Sequence, residues 1–237
     1  MAAKLTPKQI TGLDESHLIT LSSGHRLHAA AARAFKDLKQ DARNAGFKLA
    51  IASSFRSYKR QLGIWNGKVR GRRLIYDDNG AVVPIETLSQ QQLIEAILRF
   101  SALPGASRHH WGTDLDVYDE RCLPKGYELQ LSPQEVAPGG LFDALHCWLD
   151  ERMARGRSHD FYRPYADDRG GVSPERWHLS FAPLSQSCES MLGSELLQQV
   201  WDQYAPIEDL LLREAIEQRL PDIFERYITV PDNWCAR

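Results

Sequence analysis

From His25 to Ala45 the apolar residues Leu27, Ala31, Phe35, Leu38 and Ala42 recur at spacings of three and four, and Gly46 follows as a stop signal. This 3.6-residue period predicts an amphipathic helix. Phe47–Ser53 alternates toward a short strand, and Ser57 opens a second helix running through Gln61, Ile64 and Trp65. A third helix is predicted over Ser89–Leu98, with Leu93, Ile94, Ile97 and Leu98 inward, and Leu115 and Val117 sit on a strand. Residues 122–140 are rich in Pro and Gly and read as an excursion, after which Leu141–Arg155 returns to helical spacing. Asp160–Tyr165 and Arg176–Phe181 read as strands around Gly170-Gly171, and helical patterns over about 194–204 and 207–219 close the chain. No internal repeat interrupts this order, which predicts an α+β fold in a single domain spanning 1–237.

The composition is that of a globular chain: 237 residues, 43% hydrophobic and 25% charged. With 29 basic and 31 acidic side chains, the formal charge of -2 supplies no bulk field for nucleic acid or an anionic membrane. Cys122, Cys147, Cys188 and Cys235 form no CxxC pair, so they are expected as free, mostly buried thiols. The N-terminus lacks the apolar core of a signal peptide and no run reaches the ~20 residues of a membrane span, so a cytoplasmic location is expected.

The chemistry concentrates in Ser107–Asp119, SRHHWGTDLDVYD, and in Pro174–His178, PERWH. Strand residues an odd number apart face opposite ways, so His109 and Asp116, seven apart, share a face only if Gly112 bends the chain; Asp114, Asp116 and Tyr118 then line one strand face. Pro174 likewise holds Glu175 in the loop entering the strand of His178. If the two edges converge, they offer imidazoles and a carboxylate to a metal and leave Glu175 as a base for a water. Arg56, at the junction of the first strand and second helix, can stabilise a developing oxyanion or clamp a terminal carboxylate. The basic run Lys68–Arg73 reads as a solvated loop, and His146-Cys147, adjacent on a helix, diverge by about 100° and read as packing rather than a nucleophile pair.

Three elements in this order, Ser53-x-x-Arg56, Ser107-x-His109-x-x-Gly112-x-x-x-Asp116 and Glu175-x-Trp177-His178, resemble the zinc D-alanyl-D-alanine carboxypeptidases and dipeptidases of the VanY/VanX type, peptidase family M15, over about residues 25–183. The resemblance implies a small antiparallel sheet flanked by helices, hedgehog/D,D-peptidase-like, with a Zn2+ cleft on the sheet. It implies His109, Asp116 and His178 as zinc ligands, Glu175 as catalytic base, Arg56 as transition-state partner, and Ser53, Gln61 and Ser107 on the substrate-binding wall. The implied substrate is D-Ala-D-Ala in peptidoglycan precursors or fragments; a dipeptidase or an endopeptidase shares the scaffold.

The sequence departs from the family pattern at Asp114, where a small residue is common. On the cleft face this carboxylate can orient a ligand, receive a substrate ammonium or turn aside. The helical stretch 185–237 lies beyond the catalytic core, as a packing appendage or a lid. His110 competes with His109 as ligand, although the Ser-x-His frame selects His109. Two other classes remain open: a non-haem iron oxygenase, which also uses two histidines and a carboxylate, and a zinc-bearing wall-peptide binder without turnover. The prominent helices and the spare base Glu175 weigh against the first, and Glu175 together with Arg56 against the second.

Overall fold

The computed structural model describes residues 4–230. In chain order the helices are α1 (Pro7–Ile10), α2 (Ala29–Asn44), α3 (Tyr58–Val69), α4 (Gln90–Leu98), α5 (Pro133–Val136), α6 (Asp143–Ala154), α7 (Ala182–Met191), α8 (Ser194–Tyr204), α9 (Arg213–Glu217) and α10 (Leu220–Ile223). The strands are β1 (Leu18–Thr20), β2 (Arg26–His28), β3 (Leu49–Ser53), β4 (Asp114–Asp119), β5 (Phe161–Tyr162) and β6 (His178–Phe181). β1 and β2 form a small hairpin; the other four make an antiparallel sheet in the order β3-β4-β6-β5. This is the α+β architecture expected, a small antiparallel sheet among helices.

Alternation along the central strands sorts their side chains. Leu115 and Val117 of β4, Leu179 and Phe181 of β6, and Leu49 and Ile51 of β3 form one apolar face, packed against Ala31, Phe35, Leu38 and Ala42 of α2 and Leu145 and Leu149 of α6. The opposite parity puts Asp114, Asp116, His178 and Ser180 on the other face, where they too are buried. A β-bulge between Ile51 and Ser53 breaks the register of β3, so that Ser53 pairs with Asp116. The bulge re-aims the chain toward Arg56 at the sheet's polar face.

Helix α2 starts at Ala29, later than the apolar spacing suggests, because Arg26–His28 pair with β1 and the His28 side chain accepts the Ala30 amide as N-cap. Of the helix expected over 207–219 only α9 forms, entered by Leu212 at positive φ, and α10 follows beyond the expected range. The strands expected over Asp160–Tyr165 and Arg176–Phe181 contract to two and four residues. Cys122 and Cys147 are exposed and only Cys188 is buried, which corrects the expectation of mostly buried thiols; Cys235 lies outside the described residues. No helix among the described residues is long and apolar enough to cross a membrane.

The C-terminal helices join a second core with α3 and α4, including Trp65, Leu62, Ile97, Leu197, Trp201, Ile216 and Ile223. Polar contacts fix the seam: Trp65 Nε1 donates to Leu211 O (3.0 Å), Leu211 N donates to Asn66 Oδ1 (3.0 Å), and Trp201 Nε1 donates to Pro104 O (2.9 Å). Of the two alternatives for residues beyond 185, the described part packs behind α3 as a buttress rather than closing over the sheet as a lid.

Candidate active site

Antiparallel register brings the first pair together: Asp116 on β4 lies directly opposite His178 on β6, and such residues project onto one face with their Cβ atoms about 5 Å apart. His178 Nδ1 is 3.2 Å from Asp116 Oδ1. His109 arrives from a tight turn, Arg108–Trp111, and its Nε2 stands 3.3 Å from Asp116 Oδ2. Gly112 ends that turn at φ +69°; a Cβ there would meet Leu18 Cδ2 at 2.3 Å and His28 N at 3.0 Å, so the bend needs glycine.

The three donor atoms lie within 4.8 Å of one another, all on buried residues. Two imidazole nitrogens and one carboxylate fit a divalent ion of the zinc type and leave a position open. The surroundings fit as well. His178 Nε2–H donates to Asp114 Oδ1 (2.9 Å), which fixes its tautomer and leaves Nδ1 for the ion. Asp114 is fully buried, also accepting from Arg108 Nε (2.9 Å) and Thr113 Oγ1 (2.6 Å), with no face left for a substrate ammonium. Of the three roles open to it, the geometry matches the first: Asp114 is bonded to His178 and turned away from the cavity.

Arg108, 3% exposed, continues this network by donating to Tyr162 Oη (2.7 Å) and Ser180 Oγ (2.9 Å). Burial opposes the charge on Asp114, but Arg108 and the bond from His178 overcome it and hold the carboxyl down at about 2. Burial likewise opposes protonation of His178, yet its bonds to Asp114 and Asp116 push the imidazole up to about 9. Sequence reading missed Arg108; its one signal was an odd basic residue inside a run that the strand pattern buries.

His110 takes no part in the donor set. Its Nδ1–H donates to Arg56 O (2.6 Å) and its Nε2 accepts from Gly105 N (3.1 Å); burial drives its pKa down to about 3. It is a neutral strut between two loops, and His109 alone of the pair faces Asp116.

Glu175 enters from the turn before β6, its N–H donating to Tyr165 O (2.8 Å) and its C=O accepting from His178 N (3.0 Å). Its Oε2 sits 3.5 Å from His178 Nδ1, beside the donor cluster and outside it. Burial raises its pKa to about 7, with Asp116 adding to the rise and His178 opposing it.

Arg56 N donates to His109 O (3.1 Å), tying the two loops together. Its guanidinium donates from Nη1 to Gln61 Oε1 (2.8 Å) and from Nη2 to Ser53 Oγ (3.5 Å). These residues surround a cavity of about 610 Å³ lined by Arg56, Ser107, His109, Asp116, Glu175 and His178, with Tyr165, Trp177, Lys68 and the segments 74–80 and 130–134 completing its walls. Of the three residues expected on the substrate wall, only Ser107 lines it. Ser53 and Gln61 stand behind Arg56, each accepting from its guanidinium, and Gln61 is fully buried with its Nε2 donating to Ala102 O (2.7 Å). The basic run also divides: α3 continues to Val69 and turns Lys68 to the cavity, while Arg70, Arg72 and Arg73 are exposed.

A buried His–Asp–His donor set with an uncoordinated glutamate beside it, in a cleft on a small antiparallel sheet, defines a metal-dependent hydrolase. The chain belongs to the VanY D-alanyl-D-alanine carboxypeptidase family, which it matches over residues 24–184. Two uncharacterised proteins of Haemophilus influenzae are similar to it: one is 45% identical over 104 residues, covering 42% of this chain and 71% of the relative, and the other 35% identical over 128 residues, covering 53% and 92%. Among solved structures, a mutant of the vancomycin-resistance D,D-pentapeptidase VanY from a VanB-type cassette, in complex with Zn(II), has a similar fold, with a TM-score of 0.50 at 24% identity over 77% of this chain and 88% of that one.

Proposed function

We propose that the protein is a zinc-dependent D,D-carboxypeptidase that hydrolyses the terminal peptide bond of D-alanyl-D-alanine in peptidoglycan precursors or fragments. The observation that carries this reading is the placement of Glu175, a largely buried carboxylate 3.5 Å from His178 Nδ1 and outside the donor set. A protein that only bound wall peptides would have no use for a base there. Membership of a carboxypeptidase family also weighs against an iron oxygenase. The structurally similar VanY pentapeptidase is a Zn(II) complex, in keeping with the donor types present here.

His109 Nε2, a carboxylate oxygen of Asp116 and His178 Nδ1 would hold the ion. Bound there, zinc supplies Lewis acidity and lowers the pKa of a coordinated water to about 7. Glu175 accepts the proton of the attacking water and returns it to the leaving amine, a shuttle that suits a carboxyl poised near neutrality. Arg56, fixed by Gln61 and Ser53, points a guanidinium into the cavity where the carbonyl oxygen gathers charge. Asp114 keeps His178 in the tautomer that ligation needs.

The test is mass spectrometry of products from defined muropeptides and from free D-Ala-D-Ala, with and without a chelator. Release of a single D-alanine from stem peptides, abolished by chelator and restored by zinc, is the expected result. A zinc-loaded wild type that leaves every D-alanyl-terminated substrate intact would refute the reading.

A further inference from the structure

Lys68 is the cavity-lining cation that the catalytic assignment leaves without a task. It lies seven residues after Gln61 on α3, two turns along the same helical face, so the surface that secures Arg56 at one end presents an ammonium at the other. Its Nζ donates to Ser101 Oγ at 2.7 Å. Among the described residues neither Lys68 nor Arg56 forms an ion pair with any carboxylate, and Arg56 Nε is buried without a partner. Asp77, also on the cavity wall, spends its Oδ1 on the amides of Asn79 and Ala81.

Two cations on one wall with no carboxylate in ion-pair contact, eased only at longer range by Glu175 and, for Arg56, by Asp116, are an unfavourable arrangement in a partly dehydrated cleft. Burial, followed by repulsion from Arg56 and Arg73, lowers the Lys68 pKa to about 8. An anion seated between the two would relieve both. The substrate of a carboxypeptidase carries one at a fixed place, its free α-carboxylate, one residue or ~4 Å beyond the scissile carbonyl. Arg56 is assigned to that carbonyl, and the next cation along the wall is Lys68.

We propose that Lys68 determines specificity: its ammonium, on the same cavity wall as Arg56, binds the free α-carboxylate of the residue to be released and makes the enzyme exo-acting. This rests on the carboxypeptidase reading above and adds the residue that distinguishes a free terminus from an amidated or cross-linked one. Ser101 holds the ammonium in place when the cleft is vacant and shares it when a carboxylate enters.

The experiment compares an N-acetylated peptide ending in D-Ala-D-Ala as free acid and as C-terminal amide, using zinc-loaded wild type, Lys68→Met and Lys68→Arg. The wild type should prefer the acid, and Lys68→Met should lose about 10- to 100-fold in kcat/KM on the acid, mostly through KM, with the amide unchanged. Lys68→Arg should recover most of the loss. Equal losses on acid and amide, or an acid rate untouched by Lys68→Met, would overturn the assignment of Lys68 while leaving the carboxypeptidase reading intact. A wild type that cleaves neither peptide would remove that reading and this one together. Zinc content and circular dichroism equal to wild type show that Lys68→Met is folded and loaded. Calorimetric binding of the acid to zinc-loaded Glu175→Gln, with and without Lys68→Met, reads the same contrast without turnover; identical affinities there also overturn the proposal.

Discussion

Asp116 faces His178 across the β4–β6 ladder, Oδ1 to Nδ1 at 3.2 Å, while the other nitrogen of that imidazole is held by Asp114 at 2.9 Å. One strand therefore supplies both a carboxylate of the candidate donor set and the group that orients the imidazole facing it, two positions apart on one face. The carboxylate of Asp114 brings with it a buried counter-ion, Arg108.

Asp114→Asn should accordingly weaken zinc binding by about 10- to 100-fold, because His178 loses its charged orienting partner. The same change leaves Arg108 buried without its main counter-ion, which is expected to remove about 3–5 kcal/mol of stability. Competition against a chromogenic chelator reads the first effect and urea unfolding the second. Wild-type zinc affinity would show that Asp114 does not orient the ligand.

Glu175→Gln should retain zinc and fold but lose about 10²- to 10⁴-fold in kcat. In the wild type the base must be ionised to act. With a pKa raised to about 7 by burial, it becomes protonated as the pH falls through neutrality, so kcat/KM should decline on the acid side. The positive charge of a bound ion moves that limb downward, to about 7 or below. Stopped assays across pH 5–9 check it, and an acid limb that survives in the residual activity of Glu175→Gln would assign the titration elsewhere.

Zinc loading should release a proton. Without metal His178 is held protonated up to about 9, against its own burial, by Asp114 and Asp116, and ligation requires Nδ1 to be free. At pH 7.5 calorimetry in buffers of different ionisation enthalpy should report release of about one proton from this site. The sign has a second consequence: the raised pKa means that His178 stabilises the metal-free fold fully below its ordinary value of 6.5, and that this contribution is lost as the pH rises through about 9.

Trp201→Ala should destabilise the fold by about 3–5 kcal/mol, since the indole is 1% exposed and its Nε1 anchors Pro104 O, three residues before Ser107. Thermal unfolding measures this. Because the anchored turn leads into His109, zinc affinity should fall with it; a stable variant would mean that the helices beyond α7 are dispensable to the core.

The apolar spacing of α2, α3, α4, α6 and α8 and the alternation of β4 were legible in the chain because each is a local matter of period: one face must leave water. The short His–Gly–Asp and Glu–Trp–His motifs were legible for a related reason. A glycine at positive φ and a proline ahead of a strand are local devices that reverse parity, and they announce which side chains will share a face. Where periodicity failed, as over 207–219, packing against α3 and α4 had overridden it.

What only the tertiary structure decided were relations between segments far apart in sequence. The register that sets Asp116 against His178, the bulge that turns Ser53 and Arg56 toward the polar face, the burial of Arg108 against Asp114 and Tyr162, and the placing of Lys68 on the cavity wall all depend on which elements become neighbours. A lysine in a basic run looks the same in sequence whether it faces water or a cleft. Its environment is set by long-range contacts whose energies belong to the assembled core, and no local pattern of residues encodes them.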